Sequence, residues 1–292
     1  MFRGSIPALV TIFRDEAFAE EPFRAFVDWQ IAEGSHALVP CGTTGESATL
    51  SPEEHYRVIE VCVEAAAGRV PVIAGCGSND TKVAIRNMQA AKERGADAAL
   101  VVLPYYNRPS QEGLVAHFKA LTDACDLPIV VYNVPSRTVT DILPETLATV
   151  AALPGVVGIK DAHGDLNRVA EQRRLCGADF IQFSGNDGTA LGFNAMGGNG
   201  CISVTANVAP RLCADFQNAC AEGRWPDARA LQDKLHPLHA ALFTDASPGP
   251  VKYALAKVRP DFASEIRLPL VEPSEASRRA VDAALAHAGV TG

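Results

Sequence analysis

The chain has 292 residues, 48% of them hydrophobic, and 26 basic against 34 acidic residues give a formal net charge of −8 at neutral pH. That is enough apolar surface for a sizeable core, which excludes a disordered chain, and the acidic balance repels polyphosphates and anionic lipid, which argues against nucleic acid or a membrane as partner. The eight cysteines (Cys41, Cys62, Cys76, Cys125, Cys176, Cys201, Cys213 and Cys220) are dispersed through apolar stretches with no CxxC pair. They are expected as buried thiols of a reducing cytoplasm rather than a disulfide framework.

Short apolar, β-branched runs begin near Ile6, His36, Val70, Ala98, Pro128, Val156, Phe180 and Gly200. Most are apolar throughout instead of alternating, as strands covered on both faces must be. Helical patterns fill the gaps. Phe23, Phe26, Val27 and Ile31 recur at helical spacing after Pro22, and Gly34 suits a left-handed C-cap. Ser51, Pro52 and Glu54 form a capping box for the next helix, with Gly68 as its stop. Eight βα units in series predict an α/β fold, a closed (β/α)8 TIM barrel over residues 1–223, because right-handed crossovers link parallel strands and closure removes exposed edges. An open doubly wound sheet is the alternative, but no GxGxxG follows the first strand, and Gly75-Cys76-Gly77-Ser78-Asn79-Asp80 lacks the third glycine. Residues 224–292, with helical patterns around 225–243, 247–258 and 274–289, read as a C-terminal helical appendage packed on the barrel. No basic and apolar leader opens the sequence, and no apolar run reaches membrane-spanning length, so a soluble cytoplasmic protein is expected.

Barrel active sites lie at the C-terminal ends of the strands, which narrows the search. Lys160 closes the run Val156-Val157-Gly158-Ile159-Lys160, so its amine should enter the barrel mouth, where desolvation disfavours the charged form. Bringing a lysine to a pKa of roughly 7 to 8 takes about 3 to 5 kcal/mol and leaves a neutral amine that can attack a carbonyl. The competing reading is a lysine that snorkels into solvent or pairs with Asp161. Tyr132 ends the preceding strand and could face the same substrate with a phenol able to relay protons; packing in the core is its alternative. Arg137 offers a planar donor fork for a substrate carboxylate, or is a surface arginine.

The second strand leads into Cys41-Gly42-Thr43-Thr44-Gly45-Glu46-Ser47, a glycine-flanked hydroxyl pair that can turn backbone N–H groups toward a small anion. Tyr105 and Tyr106 follow the fourth strand and reach the same rim, in packing or in the site. His236 and His239 are separated by Pro237 and lack a carboxylate or thiolate set, so no metal is expected. Neither a GxSxG elbow nor a pair of carboxylates ending adjacent strands occurs. A site of lysine, tyrosine and hydroxyls suits imine chemistry on a small keto acid.

The segments Gly42-Thr43-Thr44-Gly45-Glu46, Pro104-Tyr105-Tyr106-Asn107, Tyr132-Asn133-Val134-Pro135-Ser136-Arg137-Thr138, Gly158-Ile159-Lys160, Phe183-Ser184-Gly185-Asn186-Asp187 and Ile202-Ser203-Val204-Thr205-Ala206-Asn207 together resemble the 4-hydroxy-tetrahydrodipicolinate synthase (dihydrodipicolinate synthase) family, within the class I pyruvate aldolases and N-acetylneuraminate lyases. The resemblance covers essentially the whole chain. It implies a lyase of lysine and diaminopimelate biosynthesis in which Lys160 forms a Schiff base with pyruvate, so that no separate cofactor is required. It further implies that Thr43 and Thr44 receive the pyruvate carboxylate, that the enamine attacks L-aspartate 4-semialdehyde, and that Thr44, Tyr132 and Tyr106 relay protons. Tyr106 would come from a neighbouring subunit, Arg137 would hold the semialdehyde carboxylate, and Gly185 and the Ile202 carbonyl would line the pocket. A homotetramer, built as a dimer of dimers, follows from the same likeness.

Two positions depart conservatively from common members: Asp161 stands where glutamate is frequent and Asn186 where aspartate is. Ser47, Ala48, His55, Asn79 and Tyr105 resemble the effector site of lysine-inhibited relatives. Val83, however, replaces a frequent glutamate partner of the effector ammonium, and Pro52 a histidine found in some of them. Weak or absent feedback inhibition is expected. The alternatives are an aldolase for a sialic or sugar acid, against which Arg137 argues, a keto-acid-binding protein without turnover, and a metal-dependent barrel enzyme.

Overall fold

The computed structural model describes residues 2–290. Nine strands are present among the described residues: β1 (Gly4–Pro7), β2 (Phe13–Arg14), β3 (Ala17–Phe18), β4 (Ile73–Gly75), β5 (Ala98–Val102), β6 (Ile129–Asn133), β7 (Val156–Asp161), β8 (Ile181–Ser184) and β9 (Gly200–Ser203). Seven of them form one parallel sheet in the order β1-β9-β8-β7-β6-β5-β4. The gap between β4 and β1 is closed by residues 36–40. There Leu38 bridges Val72 and Val39 bridges Ala8, with Leu38 N donating to Pro71 O at 3.0 Å and Val39 N to Pro7 O at 3.0 Å.

The fold is therefore the expected (β/α)8 barrel with C-terminal helices, with two local departures. The second predicted strand is present only as bridges, because Pro40 has no N–H to continue a ladder and Cys41 turns to φ 56°. The first predicted strand ends at Pro7. Beyond Ala8 the apolar run leaves the sheet to pack on the C-terminal region, where Phe13 N donates to Ser264 Oγ at 2.9 Å, and it forms the small β2-β3 hairpin.

The apolar residues divide into two layers, as the period-2 geometry of a strand requires. Ile6, Val39, Ile73, Leu100, Val130, Tyr132, Phe183 and Ile202 fill the barrel, whereas Val101, Val131, Ile159 and Cys201 face the surrounding helices. The capping box holds: Glu54 N donates to Ser51 Oγ at 3.2 Å and Ser51 N to Glu54 Oε2 at 3.0 Å, starting the helix Pro52–Ala66. Gly34 has φ 96° just beyond the helix Glu20–Ala32, the left-handed conformation expected of it.

Helices Trp225–Ala241, Gly249–Val258 and Glu275–Ala288 follow the barrel. Phe262 joins them to the first barrel helix through ring contacts of 5.4 Å to Phe26 and 5.8 Å to Trp29. Seven cysteines are buried and Cys176 is half-buried; burial pushes the Cys41, Cys62 and Cys76 thiols up, so they remain protonated. Among the described residues no helix is long and apolar enough to cross a membrane.

Candidate active site

Lys160 lies near the C-terminal end of β7 and faces the barrel interior, 6% exposed. The parallel register sets Tyr132 of β6 beside it, and Lys160 Nζ lies 4.1 Å from the centroid of the phenol ring. The ring face attracts a cation but supplies no anion to fix one. The alternative pairing with Asp161 is not formed, since successive strand residues face opposite sides. The Asp161 carboxylate points outward and accepts from Gln172 Nε2 at 2.7 Å, the His163 amide at 2.9 Å, Arg168 Nε at 3.0 Å and Asn133 Nδ2 at 3.2 Å.

Only one other lysine among the described residues is as deeply buried. Lys252, in the helix Gly249–Val258, pairs with the buried Glu46 carboxylate and donates to the Glu265 carbonyl at 2.7 Å. Burial pulls its pKa down and the Glu46 charge opposes that pull. Lys252 is held by an anion and a carbonyl, whereas Lys160 has neither among the described residues. That difference singles out Lys160 as the amine available to a carbonyl compound.

The Thr43-Thr44 turn follows the residue 36–40 segment. Gly45 N and Glu46 N donate back to Gly42 O and Thr43 O, each at 3.1 Å, and Thr11 Oγ1 donates to Gly45 O at 2.6 Å. The amides of Thr43 and Thr44 donate to no acceptor among the described residues, and neither does the buried Thr44 hydroxyl. Two open amides and a hydroxyl in one turn can receive a carboxylate.

Arg137 sits in the short helix Pro135–Thr138, with its side chain exposed and unpaired among the described residues. The turn carrying it is fixed from below by Thr138 Oγ1, which donates to Thr140 O at 2.7 Å, and ends at Val139 with φ 60°, a strained conformation for a β-branched residue. Gly185 follows β8. A Cβ there would meet Ala162 Cβ at 2.7 Å, so the close approach of the two strand ends requires glycine. Ile202 lies inside the barrel on β9, opposite Ile6 of β1.

Tyr106 is 89% exposed with φ 73°, and within the single chain no hydrogen bond joins it to Tyr132 or Thr44 among the described residues. The five effector-site candidates are dispersed over several segments. Ser47 opens the turn Ser47–Thr49, Ala48 is exposed, and the Asn79 carbonyl accepts from Asn107 Nδ2 at 2.8 Å, two residues beyond Tyr105. His55 has a structural bond, its Nε2 lying 2.7 Å from Gly75 O, and burial lowers its pKa.

His236 and His239 share one helix despite Pro237. His239 is buried, with Nδ1 2.8 Å from Thr205 Oγ1, a packing role. Among the described residues no group of three or more His, Cys, Asp or Glu side chains is arranged to hold a metal ion.

Two supporting networks were missed by the sequence reading. Arg168 joins Asp161 to Asp141, and Asn133 Nδ2 bonds both carboxylates, which ties the Arg137 loop to β7 behind the lysine. Asp187 accepts from Val204 N at 3.0 Å and from Ser203 Oγ, holding the ends of β8 and β9 together. The available signal was strand parity: Asn133 and Asp161 each follow an inward residue, so each must be a buried polar group in need of partners.

The Dihydrodipicolinate synthetase family model matches residues 1–288. The 4-hydroxy-tetrahydrodipicolinate synthase of Rhizorhabdus wittichii is 73% identical over 290 residues, covering 99% of this chain and 100% of that protein. Among solved structures, dihydrodipicolinate synthase from Aquifex aeolicus superposes with a TM-score of 0.97 at 40% identity, over 99% of each chain. The chloride-inhibited enzyme from Acinetobacter baumannii complexed with pyruvate gives a TM-score of 0.96 at 41% identity, over 99% of this chain and 100% of that one.

Proposed function

Because the chain belongs to the dihydrodipicolinate synthetase family, we propose that Lys160 is the amine on which its reaction runs. The activity is that of a lyase. It condenses pyruvate with L-aspartate 4-semialdehyde to give 4-hydroxy-tetrahydrodipicolinate in lysine and diaminopimelate biosynthesis, through a covalent Schiff base and without an external cofactor.

In the proposed assignment, Lys160 Nζ adds to the pyruvate carbonyl carbon and water leaves, giving the imine. The open amides of Thr43 and Thr44 receive the pyruvate carboxylate. Loss of a methyl proton gives the enamine, whose carbon attacks the semialdehyde; the substrate's own amine then adds to the imine carbon and expels Lys160, regenerating the free side chain. Tyr132, against Lys160, passes protons in these steps together with Thr44, and the unpaired Arg137 fork takes the semialdehyde carboxylate. Gly185 and the Ile202 carbonyl border the same mouth. The exposure of Tyr106 supports its delivery into the site of a second copy within a dimer that doubles to a homotetramer, acting in the cytoplasm.

The observation that carries the assignment is the burial of Lys160 against Tyr132 without an anionic partner among the described residues. Borohydride reduction with pyruvate, followed by peptide mass analysis, tests it. The added mass is expected on the peptide containing Lys160 and absent from Lys160→Ala, whose turnover should fall by roughly 10⁴-fold or more. A label on Lys252, or none, overturns it.

A further inference from the structure

We propose that the buried Glu46–Lys252 pair is a positioning device through which the C-terminal helical segment holds the Thr43-Thr44 turn ready for a substrate carboxylate; the inference rests on the function proposed above. Glu46 is the last residue of that turn. Its backbone is left-handed at φ 55°, a conformation that a non-glycine residue keeps only when its surroundings impose it. Its amide donates to Thr43 O at 3.1 Å, its carbonyl accepts from Thr49 N at 3.0 Å and Thr49 Oγ1 at 3.1 Å, and its carboxylate accepts from Arg267 N at 3.0 Å and pairs with Lys252.

The two paired side chains are 1% and 3% exposed. Lys252 is fixed in turn by the Glu265 carbonyl at 2.7 Å and by the Phe13 ring, whose centroid lies 4.4 Å from Nζ, and Arg267 covers the same ring at 3.9 Å. Desolvating two charges to make one link gains little stability, and what such a pair secures is one geometry. Here the geometry is that of a glycine-flanked turn, with Gly42 and Gly45 on either side of the two threonines; the Thr11 hydroxyl holds it at the Gly45 carbonyl, and the Glu46–Lys252 pair holds it from the C-terminal segment. The anchor lies more than two hundred residues along the chain from the turn it fixes.

Neither residue touches the reacting atoms, so the test separates carboxylate reception from general loosening. Lys252→Met alone leaves a buried unpaired carboxylate and is expected to fold poorly. The double variant Glu46→Gln with Lys252→Met removes both charges and keeps an acceptor for Arg267 N. Far-ultraviolet circular dichroism establishes its folded state, and borohydride capture at Lys160 is titrated with pyruvate. The half-saturating pyruvate concentration is expected to rise at least ten-fold, with the KM for the semialdehyde changed less than two-fold. Lys252→Arg keeps the charge but cannot meet Glu46 and the Glu265 carbonyl in the same geometry; a three- to ten-fold rise is expected, and this variant decides the matter if the double variant does not fold. Capture at the native pyruvate concentration in either folded variant, or an equal loss for both substrates, overturns the proposal. Absence of capture at Lys160 in the native protein instead overturns the assignment of the site, and the positioning role falls with it.

Discussion

Lys160 and Asp161 are neighbours in sequence and face opposite sides of one strand: the lysine is inside the barrel against Tyr132, and the aspartate is outside it, bonded to Arg168 at 3.0 Å. The carboxylate nearest the lysine in sequence is thereby prevented from neutralising it. Asp161→Ala leaves Arg168 with Asp141 as its only carboxylate among the described residues and is expected to lower stability by about 3 kcal/mol, as loss of one partner of a buried pair does. Asp123→Ala, which breaks the exposed Lys119–Asp123 pair, should change it by less than about 0.5 kcal/mol. Urea midpoints of the two variants check the contrast, and equal midpoints would remove the supporting role assigned to Asp161.

Tyr132→Phe keeps the ring under Lys160 and removes only the hydroxyl. Turnover is expected to drop by about 10²-fold, the lower end of what a proton relay contributes, while borohydride capture of pyruvate stays within a factor of two. Steady-state rates beside capture titrations make the measurement. Unchanged turnover would strip the phenol of its relay role.

His117 is buried with Nδ1 3.0 Å from Thr81 Oγ1 and Nε2 unpartnered, and burial pushes its pKa down to about 4. The unfolded chain, with an ordinary histidine near 6.5, binds the proton more readily, so stability falls as pH drops from about 6.5 toward 4 and is level above that window. The single group accounts for about 3 kcal/mol across it. His117→Gln should flatten that part of the profile in denaturation series run between pH 4.5 and 7.5; an unchanged slope would assign the loss elsewhere.

Val83 lies in the helix Thr81–Glu93, in the position where the family resemblance puts a glutamate for the effector ammonium. A charge-assisted bond of this kind contributes about 1.5 to 3 kcal/mol, so L-lysine should bind at least roughly ten-fold more weakly than where the glutamate is present. Initial rates over an L-lysine series are expected to show no half-inhibition below millimolar concentration, and Val83→Glu should lower that concentration. Half-inhibition at sub-millimolar L-lysine in the native protein contradicts the expectation.

The sequence by itself pointed to the barrel, because its apolar runs read as strands covered on both faces and eight βα units in series without a GxGxxG favour closure over an open sheet, and the capping box at Ser51 and the stop at Gly34 follow from local backbone rules. It also placed Lys160 and Tyr132 at the ends of strands, one residue short of where β7 and β6 stop, and Thr44 in the turn after the residue 36–40 segment, and so gave all three as candidates. Only the tertiary structure decided what those side chains meet. The parallel register sets Tyr132 beside Lys160, strand parity sends Asp161 to Arg168, and the fold returns Lys252 to Glu46 from more than two hundred residues away. Local pattern reports the face a residue takes; its partner across the fold is set by packing that minimises unpaired buried charge, and nothing in the neighbouring residues records that choice.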